Sequence, residues 1–292
     1  MTPAHTRILD DGHNGALVHD LLEERLRAGT LDLPLLPEVA IRVMRLASGE
    51  RTSAGRLAAI IQADPALTMY VLRVAASAAK RPSGALVSLQ HAVTWLGFDE
   101  VANIAFTLAL QGKMLNVPGQ NQKARRFWRH ALASALWARE LASRLGRDAG
   151  AGYLCGLLHT IGKPATLGAA HDLARGAAVG LSGDALDLLV ETFFRQVGAE
   201  LLRAWGLPDI VAETAMHWEA YESAGALRVD CNVVQLAHRL ADHTLGDSLA
   251  QARALLPATE VFSGLQFDPA ATAALFDAAG AVHADLDAYL PP

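Results

Sequence analysis

Cysteine is scarce. The chain has two in 292 residues, Cys155 and Cys231, both in apolar text and without Cys-x-x-Cys spacing. That excludes a disulfide framework and a cysteine-based zinc site, and it leaves two buried free thiols in a reducing compartment as the expectation. Long apolar runs are missing too. None approaches the roughly 18 residues that a membrane-spanning helix needs, and Met1 to Asp11 lack the apolar stretch of a signal peptide. A cytoplasmic location with no membrane partner is expected. There is no basic excess: net charge is −5, so no global field draws in nucleic acid, and no nucleic-acid partner is expected. Period-two alternation is also lacking, which argues against a sheet.

What is present is Ala- and Leu-rich apolar text. Hydrophobic residues make up 52% and aromatics only 6%, a mix that favours helices with a filled core. Val39, Val43, Leu46 and Ala47 recur at helical spacing, as do Leu57, Ile60 and Ile61, and then Leu67, Val71, Val74, Ala75 and Ala78. Asp64-Pro65 reads as a cap followed by Pro at the first helical position. Ser53, Ser88 and Asp99 are further candidate N-caps, and Gly97 and Gly146 sit where a helix end wants positive φ. Helices of about 10 to 16 residues should result, near the ordinary helix length. Two late segments, Asp247 to Leu256 and Pro269 to Tyr289, have helical period as well. Gly112 to Gln122 is the best internal linker, with a Pro, two Gly and two Asn. The expected organisation is an extension over residues 1–30 with one helix around Ala16 to Arg27, an N-terminal helical lobe over 31–117, and a second lobe with C-terminal helices over 118–292.

Three blocks of text stand out: LPLLPEVAIRVMRLA from Leu33, with IIQADPALTMYVLRVAASA and VSLQHAVTWLGFDEVANIAF; FWRHALASALWARELASRLG with AGYLCGLLHTIGKP; and VGAELLRAWGLPDIVAETAMHW with VVQLAHRLAD. Their order and spacing resemble the HDOD family, the HD-related output domains of bacterial signalling proteins, over about Leu31 to Asp242. The resemblance implies an all-α fold in two helical lobes, the second like a degenerate HD phosphohydrolase domain. It also implies signal transduction, often near cyclic di-GMP networks. With no room for an attached receiver, a stand-alone module is expected.

A catalytic HD site takes a His from one helix, a His-Asp pair from the next and a further Asp downstream, because imidazole and carboxylate hold a divalent metal that activates water. Here His130 and His159 match, and the two helices as an antiparallel pair would bring them to similar heights. The paired Asp is Thr160, which has no carboxylate to bridge metals. Phe194 stands where relatives often carry His, and His217-Trp218 where they carry a His pair. The last position falls on His238 or on Asp242, one turn later. The loss of carboxylates implies no catalytic residues, no metal ligands and no cofactor. His130, His159, Thr160, Lys163, His217 and Arg126 remain as candidates to line a ligand pocket.

Three functions follow. The first is a non-catalytic module passing a signal to a protein partner. The second is a receptor for a nucleotide or cyclic dinucleotide in the vestigial pocket. The third is a residual metal-dependent phosphohydrolase. One local feature bears on the second. Lys123, Arg125, Arg126, Arg129, Arg139, Arg144 and Arg147 face a single acid, Glu140, across that stretch. The run is either an anion site or a solvated helix face.

Overall fold

The structure, a computed structural model, describes residues 3–47, 54–76, 88–114 and 120–290, and side chains within 13–43, 55–76, 88–112 and 120–290. Among these residues there is no strand. Ser53 and the middle of the expected linker lie outside them.

The chain opens with α1 (Pro3–Ala28), then α2 (Glu38–Ala47), α3 (Ala54–Gln62), α4 (Pro65–Ala75), α5 (Leu89–Leu96) and α6 (Phe98–Met114). Helices α2 to α6 pack on one another. Asp64 caps α4 as its text requires: its carboxylate accepts from the Ala66 and Leu67 amides at 2.9 and 3.1 Å. Ser88 caps α5 through the His91 amide. Asp99 is not a cap. Gly97 alone, at φ +84°, separates α5 from α6, so Asp99 falls in the first turn of α6, where its charge favours the helix dipole. The expected linker is also shorter than its composition suggests, because α6 runs through Gly112 to Met114. No single described helix is long and apolar enough to cross a membrane. Leu89–Leu96 and Phe98–Gly112 pass that test only as a pair, bent by 116°.

The second group begins with α7 (Asn121–Arg144) and α8 (Ala149–Leu158), followed by α9 (Gly162–Gly176), α10 (Gly183–Ala204) and α11 (Asp209–His217). A 3-10 turn over Trp218–Ser223 leads toward α12 (Arg228–Leu245). The chain ends in α13 (Leu249–Leu255), α14 (Glu260–Ser263), α15 (Pro269–Asp277) and α16 (Ala279–Tyr289). Helices α1, α7 and α10, at 26, 24 and 22 residues, exceed the expected lengths.

Small residues set the closest packing here. A Cβ added at Gly156 on α8 would stand 2.7 Å from the Ala138 Cβ and 2.8 Å from the Ala135 Cα, both on α7. At Gly152 it would meet Ala142 Cβ at 2.7 Å. Helices α7 and α8 therefore approach backbone to backbone, which excludes larger side chains there. Gly162 does the same between α9 and α10, where an added Cβ would run into the Phe194 carbonyl.

Both chain ends dock where the sequence gives no hint. Helix α1 lies on α9 and α10, burying Val18 and Leu22 fully. Its Asn14 amide donates to the Gly180 carbonyl at 3.1 Å. Helix α16 bridges α4 and α7. The Tyr70 hydroxyl donates to the Tyr289 carbonyl at 2.6 Å. Arg139 on α7 donates to Glu100 on α6 at 2.6 Å and to Asp285 on α16 at 2.7 Å. A buried polar group needs such partners, so this network ties three separate segments together.

Candidate ligand pocket

A cavity of about 570 Å³ opens between α7, the α8–α9 turn, α10 and α12. Helix α7 supplies one side, with Lys123, Arg126, Phe127, Arg129 and His130. Lys123, Arg126, Phe127 and His130 follow helical spacing, so they share a face. The turn supplies Thr160, the first turn of α9 supplies Lys163, α10 supplies Asp187, and α12 supplies His238, Asp242 and Leu245.

The close α7–α8 packing determines the floor. His159 ends α8, almost wholly buried, and its ring centroid lies 6.2 Å from that of His130. His159 Nδ1 donates to the Gly156 carbonyl at 2.7 Å, which leaves Nε2 as the acceptor nitrogen of the neutral ring. That Nε2 faces His238 Nδ1 at 2.9 Å. His130 Nε2 lies 3.0 Å from Asp242 Oδ1. Trp218 closes the back of the cluster, edge-on to His159 at 4.8 Å and tilted over His238 at 4.6 Å.

The electrostatics follow from burial. Desolvation, helped by the neighbouring His130 ring, pushes the His159 imidazole down to about 3, so it is neutral at physiological pH. Desolvation also pushes His238 well below its ordinary value, with His159 and His130 adding to the effect. For Asp242 burial acts upward, but the hydrogen bond that His130 donates, with the His130, His238 and His243 rings close by, holds the carboxyl below its ordinary value.

The rim is cationic: Lys123, Arg126, Arg129 and Lys163 stand against Asp187 and Asp242. Two of the four cations are paired, Lys123 with Asp187 and Lys163 with Glu191 at 2.8 Å. Lys163 also lies 4.7 Å over the ring of Phe194, which is itself buried. Phe194 is thus a platform for the lysine rather than a ligand. Arg126 and Arg129 are exposed and have no ion-pair partner among the described residues. Three others of the basic run are neutralised elsewhere, Arg139 as above, Arg144 by Glu140 and Arg147 by Asp230.

Of the six residues expected to line the pocket, Arg126, His130, Thr160 and Lys163 line this cavity and His159 lies behind it. His217 does not join them. It ends α11 half-exposed, 3.6 Å from Glu213, and the next residue, Trp218, turns inward instead. His238 and Asp242, left open as alternatives in the sequence, both face the cavity because they lie one helical turn apart. Lys123 and Arg129 belong to the basic run seen in the sequence, and the tertiary arrangement turns them to this cavity; Asp187 enters from that arrangement alone.

The HD-like resemblance of the sequence implies a divalent metal. Thr160 and Phe194 leave a hard two-ion centre without its bridging carboxylate. What remains is the nitrogen donors of His130, His159 and His238, within 4.8 Å of one another, with the Asp242 carboxylate adjoining. That donor set suits one borderline ion rather than Mg²⁺.

The described helices form two packed groups, and the second carries the histidine-lined cavity. The HDOD domain family matches residues 33–221, and the chain belongs to that family. An uncharacterised protein of Treponema pallidum (strain Nichols) is 24% identical over 191 residues, which is 63% of this chain; the chain spans 37% of that relative's length. A candidate metal-dependent phosphohydrolase from Shewanella amazonensis SB2B superposes with a TM-score of 0.72 at 20% identity, covering 95% of this chain and 100% of its own. An HDOD domain protein of unknown function from Geobacter sulfurreducens gives 0.69 at 20% identity, with 96% and 99% covered. A candidate signal transduction protein from Marinobacter aquaeolei VT8 gives 0.64 at 26% identity, with 94% of this chain and 66% of that one covered. These likenesses establish the all-α fold.

Proposed function

We propose that this chain is a non-catalytic signal-transduction module whose degenerate HD cavity binds a phosphate-bearing ligand, a nucleotide or cyclic dinucleotide, and that a protein partner reads the occupied state. The observation that carries the reading is Arg126 and Arg129, exposed, without ion-pair partners among the described residues, and on the rim of a cavity floored by imidazoles. Guanidinium groups recognise phosphate through paired N–H donors, and neither arginine is held in an ion pair among the described residues. The His130 and His238 rings would donate or accept at the ligand's edge, and Thr160 would offer a hydroxyl where a hydrolase has its carboxylate. A hydroxyl neither bridges metals nor serves as a base near neutrality, so binding without cleavage is expected. The resemblance to a candidate signal transduction protein is consistent with this.

Calorimetry against nucleoside monophosphates, nucleoside triphosphates and cyclic dinucleotides tests the reading. Binding to one class, lost in the double variant Arg126→Ala, Arg129→Ala, supports it. Heat and melting temperature that stay unmoved across the whole panel would sink it, as would release of a hydrolysed product.

A further inference from the structure

We infer that His130, His159, His238 and Asp242 form a mononuclear site for a borderline first-row divalent ion, zinc above all, at the floor of the cavity. The site shares the His130 and His238 rings with the phosphate reading, but its ligands are imidazoles and one carboxylate and none of the arginines, so metal content and phosphate binding can fail separately.

Three observations carry it. The first is His159. Its Nδ1 is committed to the Gly156 carbonyl at 2.7 Å, so its Nε2 lone pair is fixed and aimed at the cluster. A ligating imidazole is ordinarily anchored this way, through its other nitrogen to a carbonyl or carboxylate. The second is convergence. The donor nitrogens of the three histidines come within 4.8 Å of one another, and the closest pair is 2.9 Å apart. Imidazole nitrogens bind zinc at about 2.0–2.1 Å, so two of them on one ion stand about 3–3.5 Å apart. A small rotation of His130 and His238 closes the difference. Both retain some exposure, 18% and 24%, and so have room to turn. The third is charge. Asp242 lies 3.0 Å from His130 and 3.9 Å from His238, the single carboxylate on the floor. Three imidazoles and one carboxylate match zinc, cobalt or nickel in softness, and offer too few oxygens for magnesium or calcium. Trp218 packs against both inner rings and holds them.

The test is metal content of the full chain, stripped with chelator, loaded with zinc or cobalt and passed through gel filtration. One ion per chain is expected for either, with magnesium not retained. Cobalt should give the visible absorption of a low-coordinate nitrogen–oxygen site. Removing even an outer partner of a metal ligand typically costs about 10–100-fold in affinity, so His238→Gln and Asp242→Asn, each of which alters a ligand, should each cost at least that. His217→Ala, on a half-exposed histidine away from the cavity, should leave binding unchanged. Asp242 is mostly exposed, so its variant should fold even where another does not. The inference is overturned if wild-type chain retains no zinc, or if His238→Gln and Asp242→Asn retain as much as wild type.

Discussion

The two cysteines show how far a single residue's surroundings can be read. They were expected to be buried and free, and they are. Burial pushes the Cys155 thiol up to about 12 and the Cys231 thiol up to about 11. Burial likewise raises Tyr70, Tyr153 and Tyr289. Groups whose folded pKa is raised hold their protons longer folded than unfolded. Their contribution to stability is whole below the unfolded pKa and is lost as pH climbs toward the folded value. Urea midpoints should therefore hold steady to about pH 8, near the ordinary thiol value, and decline above it. Native chain at pH 8 should resist thiol reagents, while denaturant exposes both cysteines to labelling; rapid labelling of native chain would contradict the burial. His217 shows the limit of reading by position. Its neighbour Trp218 goes inward because α11 ends between them. A helix terminus redirects consecutive side chains in a way that no spacing rule reveals.

At the level of elements, the helices were legible and their docking was not. Cap text at Asp64 and Ser88 and the positive-φ glycines Gly97 and Gly146 mark ends that the structure shows. The Asp99 reading failed because one glycine suffices between α5 and α6. Nothing in the text of α1 says that it rests on α9 and α10, since amphipathic periodicity gives a buried face and not its partner. The glycines at helix crossings were equally silent. Gly162→Ala places a methyl against the backbone of α10, where nothing can yield cheaply. We expect a loss of about 3 kcal/mol or more in denaturant unfolding, the upper range for overpacking. An unchanged midpoint would refute that crossing. The Arg139–Glu100–Asp285 network is a second such case. Asp285→Ala leaves the buried Arg139 with one acid in place of two. It should cost about 3 kcal/mol, the lower figure for breaking a buried pair, and Asp285→Asn less. Equal loss from both variants would show that packing rather than charge matters there.

Over the whole molecule, the cavity is where the family's scaffold and this chain's own residues diverge. The histidines on α7 and α8 were visible as motif matches, and the missing carboxylate at Thr160 was equally visible. Whether the last position fell on His238 or Asp242 was not decidable from text, and α12 delivers both. The cationic rim was hidden inside a basic run of which only part turns toward the cavity, a partition set by tertiary packing. Thr160→Asp tests the divergence directly. Adding a carboxylate beside the floor should weaken a phosphate-bearing ligand by at least about 10-fold, on the scale of one lost charge-assisted contact. Equilibrium binding reads that change.

The most direct test of the account is calorimetric titration of the full chain with cyclic dinucleotides and nucleotides, with the recovered ligand then checked for cleavage. The account predicts saturable binding of one phosphate-bearing class, its loss in Arg126→Ala, Arg129→Ala, and ligand recovered intact. No binding by any member of the panel, or recovery of cleaved ligand, would contradict it.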